Sequence, residues 1–413
     1  MKEETNEMFT NLDNIGVKIN NTPFYKRKLF IIILLLIIVA ILAVVTILIL
    51  THKDTNSNND SANNENIFNY SIKAEYSVDQ GNKTIELINS FFQDKITELI
   101  IDGEKKEPCT SYNFTSTGIH TVYFTINLEG ITKLERIFYE NNNLLSIHFS
   151  PLFNTENITE MKRIIYGCDI LESVNMSKIN IQHLRYFDEA FEFAYFKSLK
   201  SVDLSNIYAK NLEDFSGIFR YSKNLTFVNL SNFEAPNLWQ MIHTFHGCDS
   251  LISVDLTNFK TPSLRTIQEA FAQCTSLTSM DLSNLITDNL TTMIQTFYQC
   301  YSLKTVNINF ISAPNLRNLH NCFYECNSLT SINLSNLKVN VTDYHQIFGY
   351  CYNLSYVDIS SFYFYELSDK SITLFSHLPP YGEIYIKEKL YYKIKNQIPE
   401  GWNKYLINNK DLD

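Results

Sequence analysis

The chain has 413 residues, a formal net charge of −10, 45% hydrophobic and 19% charged residues. That balance excludes a disordered polyelectrolyte, and the acidic surplus argues against a nucleic-acid partner, because a phosphate backbone is met by Lys and Arg. With only 11 Gly and 9 Pro, collagen-like and Pro-rich architectures are excluded as well.

Residues 1–28 read as a short tail with five Lys/Arg and four Asp/Glu. Residues 29–50 follow as 22 positions without charge, Gly or Pro. As a helix, that run would be about 33 Å long, enough for a bilayer core, and it is too long for a cleavable signal peptide. Lys26, Arg27 and Lys28 flank its first end, whereas Lys53 at the other end is followed at once by Asp54. The charge asymmetry predicts one transmembrane signal-anchor helix with a cytosolic N-terminus. The expected product is a type II membrane protein, in the plasma membrane, with an extracellular or lumenal C-terminal region. Its 28-residue tail is too short for a kinase-like domain, so signalling would need a partner such as a cytosolic adaptor.

Residues 51–66, THKDTNSNNDSANNEN, hold nothing that could build a core and are expected to be a flexible stalk. Residues 67–130 alternate in polarity and predict a β-rich N-terminal cap. Within it, YNFTSTGIHTVYFTI places a Ser-Thr-Gly turn between two alternating runs, a hairpin signal.

Residues 131–365 are a repeat. An apolar anchor recurs at Phe138, Ile165, Phe191, Phe219, Phe245, Phe271, Phe297, Phe323 and Phe348, about nine units close to 26 residues apart. Met293, Phe297 and Cys300 fall at i, i+4 and i+7, one face of a helix, and Leu303, Val306 and Ile308 follow with the spacing L-x-x-L-x-L, whose last two residues alternate as a strand does. A helix plus a short strand in about 26 residues is the format of a leucine-rich repeat. The expected fold class is therefore α/β: a leucine-rich-repeat solenoid with a parallel sheet on the concave side and helices on the convex side.

The string Phe-x-x-Cys-x-Ser-Leu-x-Ser-x-Asp-Leu-Ser-Asn-Phe resembles the BspA-like leucine-rich repeats, which include a type catalogued in mycoplasma proteins of unknown function. The resemblance covers about residues 131–365. It implies a cell-surface protein that binds host or matrix components. The units at Ile165, Phe191 and Phe219 depart from the pattern; the latter two lack the Cys, and the unit at Phe191 has an insertion around Glu192–Lys197.

Residues 366–413 break the period and predict a C-terminal cap, with LPPYGEIYI as loop and strand and KEKLYYKIKNQIPEGW as a short helix closing on Trp402.

Six of the eight cysteines, Cys168, Cys248, Cys274, Cys300, Cys326 and Cys351, stand three residues past an anchor. Convex positions are expected to lie beyond the roughly 7 Å that a disulfide spans. A ladder of buried thiols behaving as small hydrophobes is therefore expected. His320, Cys322 and Cys326 lack a fourth ligand and zinc-like pairing, so no metal is assigned. Hydrolase, zinc-protease, P-loop and dinucleotide motifs are absent, no cofactor is implied, and the chain is not expected to be an enzyme.

Strand alternation exposes a column beginning at His148 and continuing through Asn175, Asp203, Asn229, Asp255, Asp281, Asn307, Asn333 and Asp358. Phe227 and Tyr356 interrupt a flanking Ser/Thr column. This face is either a solvated polar surface or a hydrogen-bonding groove for an extracellular protein or glycan. Glycosylation sequons stand at Asn59, Asn69, Asn82, Asn113, Asn157, Asn224, Asn289, Asn340 and Asn353, and also at Asn175, Asn229 and Asn333 of the column. The expected function is non-catalytic surface binding or adhesion. A signalling or endocytic receptor and a structural surface coat are the alternatives.

Overall fold

A computed structural model describes residues 69–185, 187, 198–308, 313–337, 339–364 and 373–407. The stalk and the anchor Phe191 lie outside these residues. The chain from Tyr70 onward forms one compact unit.

The N-terminal module is a mostly antiparallel sheet. Its longest strand, Gly118–Ile126, buries His120, Val122, Phe124 and Ile126 on one face. It lies between Ile72–Val78 and Ile96–Ile101, and Glu104–Lys106 closes the far edge. The expected hairpin does not form. Ser111–Phe114 pairs with Lys83–Glu86 instead. Both edges of Gly118–Ile126 are taken by longer partners, which bury more of its alternating face than a four-residue arm would.

Ile72–Val78 pairs on its other edge with Leu144–Phe149, and from there the sheet becomes parallel. Strands Ser173–Asn175, Ser201–Asp203, Phe227–Asn229 and Ser253–Asp255 follow in order, completing one nine-stranded sheet. The module therefore covers the first coil by continuing its hydrogen-bond ladder, which leaves no open edge there. Further on, Ser279–Asp281 pairs with Thr305–Asn307, and Ser331–Asn333 with Tyr356–Asp358. Strands Gly382–Lys387 and Trp402–Ile407 extend the last ladder in parallel. Between these two the chain forms the helix Glu388–Ile394, and Trp402 is buried with its indole N–H donating to the Pro379 carbonyl at 2.8 Å.

Parallel contacts between coils recur at two further places. Glu234 bridges Tyr208 and Lys260, and Gln240, Thr266, Thr292, Asn318 and Asp343 form a second column. The repeat is thus a β-solenoid, and the α/β horseshoe with convex helices is corrected. Among the described residues, helix is confined to Glu388–Ile394 and two short 3-10 turns, Ser90–Lys95 and Lys395–Gln397.

The reason lies in the segment read as helix. Met293, Thr296, Phe297 and Cys300 all face inward, so the burial period is that of a helix face. The backbone, however, is left-handed at Gln295 (φ 51°) and again at Gln299 (φ 58°). The same pair of positions is left-handed around other anchors, as at His243 and Gly247, Glu269 and Gln273, and Asn321 and Glu325. Two such residues in five interrupt any α-helix. The N–H groups of Met293, Gln295, Phe297 and Gln299 donate to carbonyls of the next coil at 2.8–2.9 Å, while those of Thr296, Tyr298 and Cys300 close local turns.

The core is a set of ladders. The rings of Phe219, Phe245, Phe271, Phe297, Phe323, Phe348 and Phe375 stack in succession, with centroids 5.2–5.7 Å apart and planes within 14° of parallel. Each such pair is worth about 0.5–1.5 kcal/mol beyond the area it buries. Beside them, the thiols of Cys168, Cys248, Cys274, Cys300, Cys326 and Cys351 are free and buried. Each donates to the carbonyl of the anchor Phe one ladder step earlier, at 2.9–3.1 Å. Burial pushes the thiols of Cys168, Cys300 and Cys351 up to about 12.

The membrane assignment is corrected too. No helix among the described residues is long and apolar enough to cross a membrane. Residues 29–50 lie outside the described residues. The type II topology, the single-span membrane partnership, the plasma-membrane location with a cytosolic N-terminus and the cytosolic adaptor are accordingly withdrawn.

Candidate functional site

The polar column of the sheet has a local structural role. In the strand Ser253–Asp255, Val254 points inward, and Asp255 turns back to accept the backbone N–H of Thr257 through Oδ1 at 2.9 Å. Asn175, Asp203, Asn229, Asp281, Asn333 and Asp358 accept the N–H two residues on in the same way, at 2.8–3.0 Å. These are Asx turns, which Asp and Asn form better than other residues. They end each strand, and Asn206, Asn232 and Asn258 then take the left-handed conformation that bends the chain into the next segment. Register aligns the column strand by strand: Asn175 with Asp203, Asn229 with Asp255, Asp281 with Asn307, and Asn333 with Asp358. Asp281 has its carboxyl below the ordinary range: burial acts to raise it, but hydrogen bonds from Ser283 and Asn307 outweigh that.

The turn chemistry also explains three of the sequons. Asn175, Asn229 and Asn333 are followed two residues later by Ser177, Ser231 and Ser335, whose N–H groups they accept. Asp203-x-Ser205 and Asp281-x-Ser283 make the same turn without a sequon. At Asn289 and Asn353 the side-chain nitrogen that a sugar would occupy donates to the carbonyls of Pro262 and Asn327, at 2.9 and 2.7 Å.

Aromatic residues give the same sheet face its apolar spots. Phe227 is 38% exposed. At the other end, Tyr356 packs against Tyr385 with centroids 5.6 Å apart, and Tyr385 stacks on Tyr405 at 4.3 Å with planes 10° from parallel. Tyr356 interrupts the flanking Ser/Thr column read from the sequence, in register with Ser331. Tyr385 and Tyr405 were missed because they stand in the expected cap, where the 26-residue spacing no longer marks equivalent positions.

A second constellation lies on the left-handed segment. The Nδ1 atoms of His243 and His246 each lie 3.2 Å from Oε2 of Glu269. Sequence reasoning also missed this group, although the signal was present. His243 and Glu269 are one 26-residue period apart and hence neighbours, and His246 completes an H-x-x-H pair. Cys322 and Cys326 are fully buried, and His320 stacks on His345.

Together these features define a repeat β-solenoid with ordered outer faces and, among the described residues, no catalytic constellation. Three stretches, residues 115–208, 192–312 and 291–376, match the family described as mycoplasma protein of unknown function, DUF285. They span well over half of the chain, and the chain belongs to this family. The narrower BspA-like leucine-rich-repeat assignment is corrected: the matched family carries no such description, and the described residues of the coils contain no helices of that repeat. Among curated proteins, none matches the chain.

Solved structures are similar only at low identity. An internalin from Listeria monocytogenes is 13% identical over 69% of this chain and 77% of its own, with a TM-score of 0.29. A leucine-rich repeat protein from Bacteroides ovatus is 16% identical over 77% of this chain and 100% of its own, with a TM-score of 0.23. A leucine rich cell surface protein from Faecalibacterium prausnitzii is 14% identical over 70% of this chain and 84% of its own, also at 0.23. With TM-scores this low, none of them carries an argument about function.

Proposed function

We propose that this chain is a non-catalytic binding protein that receives a polypeptide or glycan chain along the outer face of its solenoid sheet. The observation that carries this reading is the partly exposed tyrosine strip Tyr356–Tyr385–Tyr405 at the end of that face, in which Tyr385 stacks on Tyr405 and Tyr356 packs tilted against Tyr385. Tyrosine offers an apolar ring and a hydroxyl at low entropic cost, the combination that recognition surfaces favour. The Asx column supplies polar groups at a strand spacing of about 4.8 Å, the pitch along which an extended ligand can be read repeatedly.

The test is binding of the full chain to peptide and glycan arrays, followed by titration of the strongest ligand. Tyr385→Ala and Tyr405→Ala should each weaken binding by at least about tenfold, as central aromatic contacts do. Unchanged affinity in both variants would remove the sheet face as the binding surface.

A further inference from the structure

His243, His246 and Glu269 are brought together by the solenoid period alone. His243 and Glu269 occupy the same position in successive coils, two residues before the anchors Phe245 and Phe271, and both are left-handed, at φ 56° and 51°. The N–H of His243 donates to the carbonyl of Gln268 at 3.0 Å, which holds the two coils in register at this point. His246 follows Phe245 and turns its ring edge-on to His243, with centroids 5.3 Å apart.

The donor atoms converge without satisfying one another. Both Nδ1 atoms are buried and lack an aligned hydrogen bond, although each is 3.2 Å from Glu269 Oε2. One donor atom from each of the three residues falls within a span of 4.8 Å. In a tetrahedral zinc site with bonds of about 2.0–2.1 Å, neighbouring ligand atoms are about 3.3 Å apart. The two His–Glu separations are therefore close to the edge length of a zinc coordination shell. The second oxygen, Glu269 Oε1, accepts from the Gln268 side chain at 3.4 Å, an outer partner that orients the carboxylate.

We infer that His243, His246 and Glu269 form a zinc site with three protein ligands, joining two coils of the solenoid and leaving a fourth position for water or a ligand group. Two imidazoles and one carboxylate suit zinc and disfavour calcium and magnesium, which take oxygen ligands. Arg220 opposes the ion electrostatically, and the Glu269 carboxylate offsets it. The guanidinium lies 4.8 Å over the Tyr221 ring, with one nitrogen 3.3 Å from the Tyr221 hydroxyl.

The test uses the full chain, stripped with chelator and titrated with zinc chloride by calorimetry. His246→Gln and Glu269→Gln should each remove one equivalent of zinc or weaken that equivalent at least about tenfold. His243→Asn, whose side chain tolerates the left-handed backbone, should do the same. His345→Gln, away from the cluster, should retain it. Calcium and magnesium should not compete. Cobalt(II) should give the visible absorption of a four-coordinate site in the wild type and lose it in the Glu269→Gln variant, with far-ultraviolet circular dichroism confirming that the variants fold. Wild-type stoichiometry and affinity in folded Glu269→Gln, or no stoichiometric zinc in the wild type, would overturn the assignment.

Discussion

The thiol of Cys274 donates to the backbone carbonyl of Phe245 at 3.1 Å, although 29 residues separate them in sequence. The bond joins two ladders, the stacked rings and the buried sulfurs, and it ties each coil to the one before it. A thiol so placed is both desolvated and occupied. Native protein treated with iodoacetamide near pH 8 should therefore be modified at Cys109, which is half-buried, before any of the six ladder cysteines. Mass spectrometry of the labelled peptides checks this. Rapid labelling of Cys274 in folded protein would contradict the ladder.

The same burial makes stability depend on alkaline pH. Cys168, Cys300 and Cys351 have thiols pushed up to about 12, chiefly by desolvation. An unfolded thiol ionises near about 8.5. A raised folded value means that stability is whole below that pH and is lost as pH rises toward the folded value, by about 1.4 kcal/mol per pH unit for each thiol. Urea melts between pH 8 and 9.5 should show the decline. Cys300→Ala should lower stability at every pH but flatten the slope.

Truncating the ring stack should be costly. Phe271→Ala and Phe297→Ala each leave a cavity in a core where both rings are almost fully buried, which predicts a loss of about 3–5 kcal/mol. Because the rings stack on each other at 5.5 Å, the double variant should lose a different amount from the sum of the single losses. Chemical denaturation of all three variants measures both effects.

Asp255 tests the role of the polar column. As a half-buried surface side chain it would be expected to tolerate substitution within about 0.5 kcal/mol. Its hydrogen bond from the Thr257 N–H raises the expected cost of Asp255→Ala to about 1 kcal/mol, whereas Asp255→Asn should keep the turn. Equal melts for the Ala and Asn variants would assign the column to solvent alone.

Gly247 and Gly217 separate backbone strain from crowding. Both are left-handed, at φ 71° and 65°. A Cβ on Gly247 would stand 2.4 Å from Cδ1 of Tyr221, while one on Gly217 would meet nothing within 4 Å. Gly217→Ala should cost about 1–2 kcal/mol from backbone alone. Gly247→Ala should cost more, and Tyr221→Ala in the same chain should recover part of the difference.

The inside–outside pattern of the repeats was legible in the sequence. The described anchors from Phe138 to Phe348 are buried, as their recurrence required, and the Asp/Asn column aligns in register across neighbouring strands. The backbone of the anchor segment was not legible. Met293, Phe297 and Cys300 face the core in either conformation, because a helix and a doubly left-handed turn bury the same i, i+4, i+7 positions. The choice between them rests on where the intervening N–H groups find carbonyls, and these are supplied by the next coil.

The sequence by itself determined the repeat length, the Phe and Cys ladders and the absence of recognised catalytic motifs, since each follows from residue type at a fixed period. Only the tertiary structure decided that the coils are β-solenoid turns, that the polar column caps its own strands, and that His243, His246 and Glu269 converge. Those outcomes depend on contacts between coils about 26 residues apart, where backbone hydrogen bonds to a neighbour outweigh the local preference for a helix.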